Sequence, residues 1–84
     1  MATHQIKAPM ACTVVDVMVA SGARVRAGQV LLIVEAMKME HVLRAPVAGS
    51  VSLRVALGSR VAGDQIVATI VPVAEARVLP EERP

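Results

Sequence analysis

Lys38 is the residue of this chain best placed for chemistry. It stands at the middle of Glu35-Ala36-Met37-Lys38-Met39-Glu40, between two methionines and inside a pair of glutamates. A primary amine held in water can be acylated. A methionine on each side offers a partner an adaptable apolar contact with no charge to desolvate. The other reactive types are poorly organised. Glu35, Glu40 and His41 are close in sequence, but acid–base catalysis needs groups within hydrogen-bond reach of one substrate atom, and residues along a strand alternate between faces. They read as solvated charges that help a partner to orient. His4, His41 and the single Cys12 supply no ligand-spaced cluster for a metal. Cys12 reads as a small buried apolar group rather than a nucleophile. Gly22, Gly28, Gly49, Gly58 and Gly63 follow no phosphate-loop spacing; they read as turn residues that supply φ > 0.

Two apolar runs must position Lys38. Val30-Leu31-Leu32-Ile33-Val34 reads as a buried strand, and His41-Val42-Leu43-Arg44-Ala45 as a second one stopped by Pro46. The four residues 36–39 between them suit a β-hairpin turn, with Lys38 at its tip. Upstream, residues 5–8 read as an edge strand ended by Pro9. Residues 13–19 follow as a strand with Val15, Val17 and Val19 on one face, then Arg24-Val25-Arg26 as a short extended piece. Downstream, Val51, Leu53, Val55 and Leu57 alternate with Ser52, Arg54 and Ala56, the period-two pattern of a half-buried strand.

These events occur twice. Ala8-Pro9 matches Ala45-Pro46 at an offset of 37 (45 − 8), whereas Gly22-Ala23-Arg24-Val25 matches Gly58-Ser59-Arg60-Val61 at 36 (58 − 22). Gln29-Val30-Leu31 matches Gln65-Ile66-Val67, again at 36 (65 − 29). A one-residue slip would turn a strand inside out. A β-bulge within residues 12–19, or a tighter turn before Gly58, is expected to absorb it. Two halves, each with an open apolar face, bury those faces against each other.

Ala36-Met37-Lys38-Met39, at the centre of this duplication, resembles the Ala-Met-Lys-Met attachment motif of biotinyl domains. The resemblance extends over roughly residues 6–71. It implies an all-β fold: a flattened β-sandwich of two four-stranded antiparallel sheets related by a quasi-two-fold axis, a barrel-sandwich hybrid. The attachment hairpin would stand at one end and the termini at the other. It also implies a biotin carboxyl carrier, not an enzyme, with biotin in amide linkage to Lys38. Ala36, Met37 and Met39 complete the motif read by a biotin–protein ligase. On this resemblance a biotin carboxylase then carboxylates the cofactor, and a carboxyltransferase passes the group to an acceptor such as an acyl-CoA. The family often has Pro-Gly where this chain has Ala11-Cys12, which leaves the turn after Pro9 open. Some acetyl-CoA carboxylase carriers insert an extra loop in the first half; the offsets of 36 and 37 leave no room for it between Val19 and Gly28.

Two other functions are compatible with the same fold: a lipoyl carrier of a 2-oxoacid dehydrogenase, whose motif is usually Asp-Lys-Ala, and an unmodified interaction module. Composition narrows the field further. The 84 residues include no aromatic side chain, so the core is built from Val, Ile, Leu, Met and Ala, and nothing can stack on bases. The net charge is +2 with a pI near 9.3, but the cations are scattered, which argues against a nucleic-acid partner. No apolar run reaches the ~18 residues of a membrane span. One cysteine and no secretory pattern fit a reducing, cytoplasmic setting. Residues 1–73 are expected to form the domain, and residues 74–84, charged and with two prolines, a disordered tail.

Overall fold

The two halves of the chain do not pack as separate faces, contrary to expectation: each sheet takes two strands from each half. The strands of one half pair with those of the other, and it is the apolar faces of these mixed sheets that close on each other. The computed structural model describes residues 3–72. It contains β1 (His4–Lys7), β2 (Cys12–Val17), β3 (Arg24–Val25), β4 (Val30–Ala36), β5 (Met39–Arg44), β6 (Gly49–Leu53), β7 (Arg60–Val61) and β8 (Ile66–Pro72). Two four-stranded antiparallel sheets result, ordered β1-β8-β6-β3 and β5-β4-β2-β7. There is no helix among the described residues. This is the flattened sandwich of two four-stranded sheets that the resemblance implied. The expected tail, and residue 73, lie outside the described residues.

The core contains only aliphatic side chains and one thiol. Leu31, Leu32, Val34, Val51, Val67, Ala68 and Ile70 are wholly excluded from water (0%). Each buried Val, Leu or Ile contributes about 1.5–3 kcal/mol. The unbroken apolar runs of β4 and β8 have a specific cause. The β4–β5 ladder steps from Val30 to Leu32, and the β1–β8 ladder from Ile66 to Ala68. Leu31 and Val67 are therefore bulge residues, and a bulge turns two consecutive side chains towards the core.

The duplication is reproduced bond by bond. Asp64 N donates to Ala8 O at 2.9 Å, as Gly28 N does to Ala45 O at 2.7 Å. Gly58 N donates to Val14 O at 2.8 Å, as Gly22 N does to Val51 O at 2.7 Å. Met18 N donates to Leu31 O at 2.9 Å, and Arg54 N to Val67 O at 2.8 Å. Ala8 and Val14 thus stand 37 residues before their counterparts, and Met18 stands 36 before its own. The slip lies between Val14 and Met18. The β2–β4 ladder shows it directly, stepping from Val14 to Asp16. The expected bulge is at Val15.

The bulge corrects the expected face of the first strand. Val14 is buried and Val15 is 36% exposed, so Val15, Val17 and Val19 do not form one buried row. β2 also ends at Val17, short of residue 19. In the second half β6 stops at Leu53 and Leu57 is exposed; the alternation of residues 51–57 outruns the strand because the chain turns away to reach Gly58. Of the five glycines only Gly22, Gly28 and Gly58 have φ > 0, and Asp64, at φ 65°, takes the place of Gly28 in the second half. Gly49 serves another need. A Cβ there would run into the Val71 carbonyl oxygen and lie 2.7 Å from Ile70 Cγ2. No extra loop interrupts residues 19–28, which hold one turn, β3 and a second turn.

Candidate functional site

The β4–β5 ladder pairs Val34 with His41, Glu35 with Glu40 and Ala36 with Met39. Only Met37 and Lys38 remain to turn the chain, so the loop has two residues, not the four expected. Both have φ > 0, at 53° and 64°. That is the type I′ geometry, whose twist matches the flanking strands and which normally selects Asn-Gly. For side chains other than Gly, Asn or Asp the left-handed region costs roughly 1–2 kcal/mol per residue. Met37 is therefore held against its conformational preference, and its side chain is 86% exposed, so packing does not explain it. Met37→Asn should raise the unfolding free energy by about 0.5–1 kcal/mol, because asparagine tolerates this region. An unchanged or lowered melting temperature in that variant would show that the turn is not strained at Met37.

The tip presents Lys38 to solvent, flanked by Met37 and by Met39 at 63% exposure. Ala36 is buried at its foot and anchors the turn to the core. Behind the tip, register makes a row that adjacency in sequence does not reveal. Glu40 faces Glu35 across β5–β4, Glu35 faces Thr13 across β4–β2, and Thr13 faces Arg60 across β2–β7. Two carboxylates directly opposite each other destabilise a sheet by about 0.2–1 kcal/mol. Both glutamates are exposed, and this arrangement contributes nothing to folding. The sequence signal was available: a two-residue turn at 37–38 pairs residue 35 with residue 40. His41 lies on the opposite, inward side, half-buried, so the three groups do not converge. Among the described residues no group of three or more His, Cys, Asp or Glu gathers as a metal site.

A cleft of about 430 Å³ lies at the foot of the hairpin, lined by Cys12, Thr13, Glu35, Lys38, Arg60 and Val61 among others. Burial pushes the Cys12 thiol up from its ordinary pKa, which keeps it protonated and unreactive at neutral pH. Cys12 occupies the position of Gly49 in the other half. It starts β2, pairs with Val61 and is buried, so the departure from glycine leaves the sandwich intact.

A two-sheet sandwich with a quasi-two-fold repeat and a solvent-exposed lysine on a rigid hairpin defines a swinging-arm carrier domain. Residues 4–70 match the family model described as "Biotin-requiring enzyme", and the chain belongs to that family. It is 46% identical over 66 residues to methylcrotonoyl-CoA carboxylase subunit alpha of Oryza sativa, a match covering 77% of this chain and 9% of that protein. It is 47% identical over 57 residues to the biotin carboxyl carrier protein of acetyl-CoA carboxylase of Solanum lycopersicum, covering 67% of this chain and 81% of that one. Among solved structures, the urea carboxylase of Kluyveromyces lactis superposes with a TM-score of 0.76 at 29% identity, covering 84% of this chain and 6% of that one. The chain thus spans less than a tenth of the rice and yeast proteins. All three are carboxylases or carboxylase components by name, and the tomato protein, which this chain matches over most of its length, is a biotin carboxyl carrier.

Proposed function

We propose that Lys38 carries the biotin, and that the domain moves a carboxyl group between a biotin carboxylase and a carboxyltransferase of an acyl-CoA carboxylase. The observation that supports this most directly is the exposed lysine on the two-residue turn. The residues fit the group. Lys38 is exposed at the rim of the cleft at the hairpin's foot, and the six-pair β4–β5 ladder fixes the turn that carries it. When bound, biotin supplies a ureido nitrogen that accepts and releases a carboxyl group. The chain's own residues do the rest. Lys38 tethers, Met37 and Met39 offer apolar contacts to a biotin–protein ligase, and Ala36 seats the turn. Acylation takes the net charge from +2 to +1, and tethering raises the effective concentration of the cofactor at both partner sites. The free buried thiol of Cys12 fits a reducing compartment, which we take to be the cytoplasm.

Mass spectrometry of the protein from its native source tests this reading. A biotinyl adduct on the peptide holding Lys38 is expected. A lipoyl adduct would make the chain a carrier for 2-oxoacid dehydrogenation, and an unmodified lysine would leave an interaction module.

A further inference from the structure

Because the two halves share one backbone plan, each is a control for the other, and they differ just below the hairpin. On the sister sheet the β6–β8 ladder pairs Val51 with Ile70, Ser50 with Val71 and Gly49 with Pro72. On the Lys38 sheet the matching β2–β4 ladder pairs Val14 with Val34 and Thr13 with Glu35, and stops there. Cys12 and Ala36, the counterparts of Gly49 and Pro72, add no further pair. The glycine accounts for the difference. At Gly49 the neighbouring strand comes so close that a Cβ would run into the Val71 carbonyl oxygen. Cys12 carries that Cβ, so the start of β2 stands off from the end of β4. The gap is the cleft of about 430 Å³, and Lys38 is one of its lining residues.

The lining is chemically mixed. Cys12 and Val61 are buried in its wall, while Thr13, Glu35 and Arg60 bring a hydroxyl, a carboxylate and a guanidinium to it. Glu35 and Arg60 are exposed, and neither forms an ion pair or a side-chain hydrogen bond with another described residue. The cleft therefore offers a ligand the donors of Arg60, the acceptors of Glu35 and a hydroxyl that serves as either, beside an apolar wall.

We propose that this cleft is a resting site for the biotinyl group carried by Lys38 of the same chain. The inference rests on the reading of Lys38 given above. The tether selects the occupant. A group on Lys38 stays beside the cleft that Lys38 lines, at a local concentration on the order of millimolar, so even a weak site fills. The reach is sufficient. The lysine side chain and the valeryl chain together make about a dozen single bonds, the span of roughly four extended residues, or ~14 Å. Arg60 lies two strand spacings across from β4, ~10 Å. The chemistry also matches. The ureido ring presents one carbonyl acceptor, for Arg60 or Thr13, and two N–H donors, for Glu35; the sulfur ring packs against Val61 and Cys12. A lipoyl dithiolane has no hydrogen-bonding group to meet the same residues. Acylation favours entry as well, because the lysine ammonium, which is costly to strip of water, becomes a neutral amide.

The test compares the nitrogen-15-labelled chain before and after modification by a biotin–protein ligase with ATP, with intact mass as the check on loading. On modification the amides of Thr13, Arg60 and Val61 should shift, and those of Ser50, Arg24 and Val25, their counterparts in the sister half, should not. Capture of the biotin by streptavidin reads the free fraction of the arm. An arm docked about three-quarters of the time is captured about fourfold more slowly than a free one. Arg60→Ala, a change at an exposed position, should abolish the shifts at Thr13 and Val61 and speed capture by that factor. Cys12→Gly should let residues 12 and 36 pair as Gly49 and Pro72 do, close the cleft and have the same effect, with circular dichroism as the folding control. Arg54→Ala, on the sister sheet, should change capture less than twofold. Amide shifts confined to residues 36–40 would overturn the proposal. So would shifts and capture rates that Arg60→Ala leaves unaltered, or shifts that grow with protein concentration, which would belong to the arm of a second chain. An intact mass showing no biotin on Lys38 would overturn the attachment reading itself, and this proposal with it.

Discussion

Lys38→Arg should abolish biotin incorporation while leaving the fold and its stability unchanged. The substitution keeps the positive charge, the chain length and the left-handed backbone of the turn. It removes the only feature acylation needs, an amine that can lose its proton; a guanidinium stays protonated and is not acylated. Because Lys38 is exposed, the stability change should stay within about 0.5 kcal/mol. The chain has one other lysine, Lys7. It lies within β1, paired with Ile66, and not at a tip. Avidin blotting and intact mass after treatment with a biotin–protein ligase and ATP give the result. Biotin still present on the Lys38→Arg protein would assign attachment to Lys7 and remove the hairpin from the mechanism. A large fall in melting temperature would show that Lys38 is structural.

The second large effect is expected from the neighbours of Lys38. Met37→Asp with Met39→Ala should slow biotinylation by about one to two orders of magnitude, the equivalent of roughly 1–3 kcal/mol for placing an unpaired carboxylate in an apolar pocket. Neither change touches the core, since the two methionines are 86% and 63% exposed. Aspartate also tolerates the backbone at position 37 better than methionine does. A slower reaction would therefore not be a folding defect, which circular dichroism confirms independently. The assay is the initial rate of biotin incorporation at limiting carrier. Incorporation at the wild-type rate would show that the ligase reads another part of the sandwich. The paired result with Met37→Asn is informative: a more stable turn that is biotinylated more slowly would show that the methionine is retained for recognition at the expense of stability.

Much of this was legible in the chain itself. The period-two alternation, the Pro and Gly punctuation and the absence of helical spacing determined an all-β fold. The two apolar runs on either side of Lys38 determined a hairpin with that lysine at its tip. The mismatch of 36 and 37 between the two halves required one extra residue within the first strand region or a tighter turn in the second. These are local facts, set by the pitch of a strand and by the few residues that turn it.

The rest depended on which distant residues face each other. Nothing local identifies Val15 as the bulge; its position follows from Val14 pairing with Val34 and Asp16 with Ile33. Pairing likewise turns both Leu31 and Leu32 inward, shortens the loop to Met37 and Lys38, and sets Glu35 against Glu40. Gly49 is required by the approach of Val71, a residue 22 positions away (71 − 49). The cleft below Lys38 arises in the same way, since Glu35, Cys12 and Arg60 lie on three strands joined only by hydrogen bonds. Sequence alone determined which side chains alternate. Only the assembled sheets decided their register, because cross-strand bonds and core packing act between residues that the chain keeps apart.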